Sequence, residues 1–142
     1  NCKPDSAGDR FSRDHEYIFM LTKSKNCFFN REAKKEPAAA ETIRRIRRGE
    51  KRRACTEERY MRSVWTIPTQ GYPGPHFAVY PEELVRRCLV AGSREGDIVL
   101  DPFCGTNTTG IVAQRYNRRF VGLDLNMKFC RISRDRIAPR WR

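Results

Sequence analysis

Apolar and polar positions change their rhythm several times along this chain. Residues 15–23, HEYIFMLTK, crowd aromatic and β-branched side chains together without Gly or Pro, which predicts a buried strand. Residues 26–30, NCFFN, predict a second short strand or the end of a hairpin, with Lys23, Ser24 and Lys25 as the polar turn between them. From 31 to 62 the apolar rhythm is weak and survives only between Ala38 and Ile46. There the basic blocks at 44–48 and 51–53 flank Gly49 and Glu50, a pattern that predicts a helix running out into a basic loop. Residues 64–68, VWTIP, form a short extended piece closed by Pro68, and the Pro- and Gly-rich run at 70–81 excludes a helix.

Beyond that loop the alternation becomes regular. Pro81 suits a first helical turn, Leu84, Val85, Cys88 and Leu89 fall on one face, and Gly92 supplies the stop. A strand at 97–101, a helix at 108–116, a strand at 119–124 and a helix at Met127–Ile137 then make a βαβα unit. Such a unit belongs to the α/β class: a parallel sheet covered by helices, with ligands bound at the carboxyl ends of the strands.

Size and composition narrow the partners. At 142 residues the chain corresponds to one small domain, and no apolar run reaches the roughly 20 residues of a membrane span. With no signal peptide visible either, the expected compartment is cytoplasmic. Lys and Arg number 29 against 17 Asp and Glu, and a net charge of +12 calls for a polyanionic partner, most simply nucleic acid. Half of that net charge lies in residues 31–62, which read either as a solvated linker or as a nucleic-acid contact surface. Six cysteines, at 2, 27, 55, 88, 104 and 130, stand without a CxxC pair or ligand spacing, so neither a disulfide framework nor a metal site is expected. The chain opens on Asn1 with residues that read like the interior of a longer sequence, and a fragment is expected.

The chemistry concentrates at 98–110, IVLDPFCGTNTTG. An apolar strand delivers Asp101, Pro102 and Phe103 into the turn Gly105-Thr106-Asn107, and Thr108 and Thr109 open a helix. A helix N-terminus so aimed favours an anionic group, carboxylate as well as phosphate. Gly105 and Gly110 have the spacing of a phosphate-binding loop, but Ile111 and Val112 stand where that loop needs Lys and Ser or Thr. The dinucleotide fingerprint fails too, because Asn107 replaces its second glycine.

The segment resembles the DPFxGSGTTG signature of β-class DNA amino-methyltransferases, written here DPFCGTNTTG, with eight of nine defined positions matching if Thr is allowed for Ser. Asn107 is the departure, at a position expected to need a turn or left-handed backbone, which Asn tolerates best after Gly. RRFVGLDLN resembles the next family motif, with Asp124 placed for the ribose hydroxyls and Leu125 and Asn126 flanking the adenosine. RSVWTIPTQGYPGPHFAVYPEEL resembles the segment that packs around the methionine end, His76, Phe77 and Ala78 approaching the cofactor, and KPDSAGDRFSRDHEYIFMLTKSK resembles a strand pair of the same core.

The resemblance implies S-adenosyl-L-methionine as cofactor and double-stranded DNA as partner. It divides the chain into a core strand pair (1–30), a basic DNA-recognition segment (31–62) carrying Arg44, Arg45, Arg47, Arg48, Lys51, Arg52 and Arg53, and a cofactor-binding βαβα part (63–142). It also implies an absence. The family's catalytic Asp/Asn/Ser-Pro-Pro-aromatic loop would hold a flipped base, and this chain contains no Pro-Pro at all. The expectation is a partial Rossmann-like sheet whose N-terminal catalytic half is missing, with exposed edges and apolar faces, inactive alone and completed by a separate or absent half. The competing expectation is a non-catalytic basic nucleic-acid-binding protein that retains a nucleotide-fold remnant. A nicotinamide oxidoreductase fits poorly.

Overall fold

A computed structural model describes residues 8–11, 14–50, 56–71 and 79–137. A 3-10 turn, Glu32–Lys34, leads into β1 (Lys35–Pro37), α1 (Ala40–Arg47) and β2 (Glu58–Tyr60). Then follow α2 (Glu82–Gly92), β3 (Ile98–Asp101), α3 (Thr108–Arg115), β4 (Arg119–Gly122) and α4 (Met127–Ile137). Two small sheets result: β1 and β2 pair antiparallel, β3 and β4 pair parallel with Leu100 opposite Val121 and Asp101 opposite Gly122.

The parallel pair carries the core. α3 connects β3 to β4 and packs on them, burying Val112 and Ala113 completely, while Leu89 of α2 closes the same core. Strand residues alternate as the period of two requires: Val99 and Phe120 are half-buried, whereas Ile98, Leu100 and Val121 leave 59%, 60% and 47% of their surface open. One face of the sheet is thus covered, and among the described residues the other is apolar and bare.

Helix ends follow local chemistry. Pro81 sits at the N-cap of α2, with φ −63° and ψ 142°, and the amide of Glu82 donates to Oε1 of Gln70 at 3.1 Å. Glu82 and Glu83 complement the dipole of that first turn. Gly92 is the last helical residue, and the stop is made by extended Ser93, whose amide and hydroxyl both donate to the Leu89 carbonyl. Arg118, 9% exposed, then ties Ser93 to the α3–β4 turn: it donates to the Ser93 carbonyl and hydroxyl and to the Tyr116 carbonyl.

The N-terminal third departs from expectation. Residues 15–23 form no strand, and Tyr17, Phe19 and Leu21 are 67%, 78% and 90% exposed rather than buried. A strand needs a neighbour for its N–H and C=O groups, and none lies alongside among the described residues. His15 instead meets Tyr17 edge-to-face at 5.2 Å, and Tyr17 lies tilted against Phe19 at 6.1 Å. Residues 26–30 are no strand either; the Asn30 amide donates to the Ala91 carbonyl at the end of α2, and the Arg94 guanidinium covers the Phe28 ring at 4.2 Å. Residues 64–68, expected only as a short extended piece, belong to no helix or strand; Ile67 is buried and the Trp65 indole donates to the Arg62 carbonyl. Conversely, the antiparallel β1–β2 pair, with α1 between its strands, was not expected. Glu36 stands opposite Arg59 and pairs with it at 2.9 Å, an ion pair that fits its register. The anticipated helix with Gly49 beyond its end is present as α1, Gly49 having φ +77°.

Candidate functional site

The carboxyl ends of β3 and β4 lie side by side, each followed by an acid-bearing turn. After β3 the chain turns through Pro102 and Phe103 into Cys104 and the Gly105-Thr106-Asn107 bend before α3 begins. The parallel ladder continues past the strand ends: the Leu123 amide donates to the Asp101 carbonyl and the Cys104 amide to the Leu123 carbonyl, both at 2.9 Å. These bonds bring the two turns together.

Backbone shape within the bend is set by Gly105, at φ +50°, and Asn107, at φ 72° and ψ 40°. Asn107 therefore adopts the left-handed conformation at small cost, and it also caps α3, its Oδ1 accepting from the Gly110 amide at 3.0 Å. Its side chain is completely buried, and its Nδ2 donates to the Ser133 carbonyl of α4 at 3.5 Å. Gly110 is required by this cap, since a Cβ there would lie 2.1 Å from Asn107 Oδ1. Thr106 and Thr108 are likewise buried, at 3% and 5% exposure, and Arg136 donates to the Thr106 carbonyl at 2.5 Å.

The acids hold the loop from two sides. Asp124, after β4, accepts the Gly105 amide on Oδ2 at 2.9 Å and the Asn126 amide on Oδ1 at 2.7 Å. Asn126 in turn accepts the Lys128 amide in the first turn of α4. Asp101 accepts the Phe103 amide on Oδ1 at 3.0 Å, and its Oδ2 receives the hydroxyls of Thr109 at 2.5 Å and Tyr80 at 2.9 Å. Burial, helped by the neighbouring Asp101 carboxylate, pushes the Tyr80 phenol up to about 12, although its hydrogen bond with Thr109 acts the other way. Burial also pushes the Cys104 thiol up. Phe103 and Leu125, 82% and 101% exposed, present apolar side chains on the two turns.

Of the sequence-derived cofactor residues, Asp101, Pro102, Phe103, Gly105, Thr106, Asn107, Thr108, Thr109, Asp124, Leu125 and Asn126 are gathered on these two turns and the first turn of α3. Asn107 is completely buried and Thr108 only 5% exposed, so these two residues shape the bend from within. His76, Phe77 and Ala78 lie outside the described residues, as do Lys51, Arg52 and Arg53. Arg44, Arg45 and Arg47 are exposed on α1, with Arg48 at its end, in the segment that connects β1 to β2. Three of them already face carboxylates, Glu41 at 3.9 Å, Glu50 at 3.4 Å and Glu57 at 3.1 Å. Exposed pairs of this kind contribute little to stability.

Two participants escaped the sequence reading. Tyr80 reaches Asp101 across 21 residues and Arg136 reaches Thr106 across 30, and no periodicity encodes either contact. The one available signal was a polar-tipped aromatic directly before the helix-opening Pro81. Among the described residues no group of acids, histidines and cysteines could hold a metal ion, and no helix is long and apolar enough to cross a membrane.

Comparison with known proteins matches residues 1–135 to the N6/N4 family model described as DNA methylase. The chain is 43% identical over 140 residues to the type II methyltransferase M.SmaI of Serratia marcescens, covering 99% of this chain and 44% of that one. It is 39% identical over 137 residues to M.XycI of Xanthomonas campestris pv. cyanopsidis, covering 96% and 41%. The chain thus spans less than half the length of these relatives. Among solved structures, the cytosine-N4-specific PvuII DNA methyltransferase superposes with a TM-score of 0.51 at 23% identity, over 55% of this chain and 32% of that one, a likeness of fold.

Proposed function

We propose, from the premise that the chain belongs to the DNA amino-methyltransferase family, that these residues are the cofactor-binding part of a site-specific DNA methyltransferase. The reaction is transfer of a methyl group from S-adenosyl-L-methionine to an exocyclic amine in double-stranded DNA, N4 of cytosine or N6 of adenine. The observation that carries this reading is the hydrogen bond between the Gly105 amide and Asp124, which joins the glycine bend to the acid of the next strand.

The donor set fits the cofactor. Each Asp124 oxygen accepts one backbone amide, so each keeps a further lone pair for a ribose hydroxyl. Exposed Phe103 and Leu125 offer apolar surface for an adenine ring, and the first turn of α3, with its dipole, suits the amino-acid carboxylate. His76, Phe77 and Ala78 are proposed to complete the methionine end. When bound, the cofactor supplies an electrophilic methyl group on a sulfonium. This chain's residues hold and orient it.

The base-binding work belongs elsewhere. No Pro-Pro-aromatic loop occurs in the sequence, and the only comparable stretch, Asp101-Pro102-Phe103, is committed to the cofactor turn. We assign the catalytic loop to a further polypeptide portion that completes the partial Rossmann-like sheet, and these 142 residues alone would not methylate. The bare faces of Ile98, Leu100 and Val121, and the 44% coverage of M.SmaI, support that assignment. The segment 31–62, with Arg44, Arg45, Arg47, Arg48, Lys51, Arg52 and Arg53, is proposed to contact DNA. Calorimetric titration with S-adenosyl-L-methionine tests the reading: saturable binding is expected, and no binding even after addition of the catalytic portion would refute it.

A further inference from the structure

The hydroxyl of Tyr80 is bonded to both Asp101 and Thr109, although no property of a cofactor-binding strand, loop and helix start requires a phenol there. Thr109 Oγ1 lies 2.5 Å from Asp101 Oδ2 and 2.5 Å from the Tyr80 hydroxyl, which is itself 2.9 Å from Asp101 Oδ2. Two hydroxyl protons serve these three close contacts, and the cluster links the residue before Pro81 to the end of β3 and the first turn of α3.

We infer that Tyr80 is a positioning residue for the cofactor, acting through Asp101 to aim that carboxylate at the amino-acid end of the ligand. This deepens the cofactor reading above and rests on it. Because the hydroxyls of Thr109 and Tyr80 converge on Oδ2, the Asp101 carboxylate can rotate only by giving up the hydrogen bonding donated there. Among the described residues Oδ1 accepts only the Phe103 amide, which leaves it a further lone pair. Asp101 ends β3 beside the first turn of α3, whose dipole favours a carboxylate, and an α-ammonium on the same ligand end then needs an acceptor or anion nearby. Asp101 is the acid on that side of the site, whereas Asp124 stands after β4 and bonds the Gly105 amide. A phenol is protonated throughout the neutral range, so the Tyr80 proton is available to these contacts.

Removing the hydroxyl with Tyr80→Phe keeps the ring and its packing. Titration of the full chain should show S-adenosyl-L-methionine bound about five- to tenfold more weakly, as expected for one charge-assisted hydrogen bond, with the thermal midpoint little changed. Two readouts separate positioning from general loosening. Affinity for 5′-methylthioadenosine, which keeps the nucleoside and lacks the amino acid, should be unchanged by Tyr80→Phe. In an Asp101→Asn background the same substitution should have almost no further effect, because its target is gone. Equal weakening of both ligands, additivity with Asp101→Asn, or no weakening at all would each overturn the inference while leaving the cofactor reading intact. Absence of S-adenosyl-L-methionine binding by the unaltered chain, with the catalytic portion added, would overturn both.

Discussion

Substituting Gly110 by alanine strikes the point where helix start and glycine bend depend on each other. The new Cβ would sit 2.1 Å from Asn107 Oδ1, 2.8 Å from Asn107 Cγ and 2.8 Å from the Phe120 ring. Asn107 has nowhere to retreat, because its side chain is completely buried and its backbone is already left-handed. Relief therefore requires loss of the cap to the Gly110 amide, about 1 kcal/mol, and strands a buried amide oxygen for roughly another 1–2 kcal/mol. Displacing Phe120 adds about 1 kcal/mol. Against this, alanine is about 1 kcal/mol better than glycine inside a helix. The net expectation is destabilisation of about 2–3 kcal/mol, read by urea unfolding followed by far-ultraviolet circular dichroism. Gly92→Ala is the matched control: nothing lies within 4 Å of its Cβ, so at the end of α2 it should be neutral or slightly stabilising. If Gly110→Ala proved as stable as Gly92→Ala, the buried cap would not be what shapes the bend, and the reasoning would fail.

Asp124→Ala should lose about 1–3 kcal/mol of S-adenosyl-L-methionine affinity through the ribose contacts. It should also lower the unfolding midpoint, since the Gly105 and Asn126 amides lose their acceptor; unchanged affinity by calorimetry would remove Asp124 from the ligand set. Replacing Arg44, Arg45, Arg47 and Arg48 with glutamine should weaken DNA binding about equally for all sequences and flatten its dependence on salt, measured by fluorescence anisotropy. An unaltered salt slope would make α1 a solvated surface. In acid, Glu83 is held down to about 2 from its ordinary 4.5 by its hydrogen bond to Arg86, with Arg87 adding to it. Its folded value is depressed, so its stabilisation is present above pH 4.5 and fades as pH falls toward 2. The contribution is modest because these side chains are partly exposed, and Glu83→Gln should flatten that limb of the acid titration.

What the sequence determined by itself was the local grammar of the C-terminal half. A βαβα alternation needs only period and punctuation, and the elements from Ile98 to Ile137 lie within about two residues of expectation, with α4 matching at both ends. A left-handed backbone at Asn107 was expected from the glycine that the resembled signature carries at that position, and Asn107 has φ 72°. The expectation of exposed edges and apolar faces came from the resemblance, which implies further strands than the sequence offers.

Only the tertiary structure decided where the side chains of the candidate site point. Asn107 and Thr108 are buried, Asp124 grips an amide 19 residues away, and Tyr80 meets Asp101 and Thr109. Such contacts depend on the angle at which α2 and α3 pack against the sheet, and sequence periods carry no information on that angle. The N-terminal strands show the same limit in reverse. Residues 15–23 have every local preference of a strand, but a strand is a pairing between chains, and local preference cannot supply the partner.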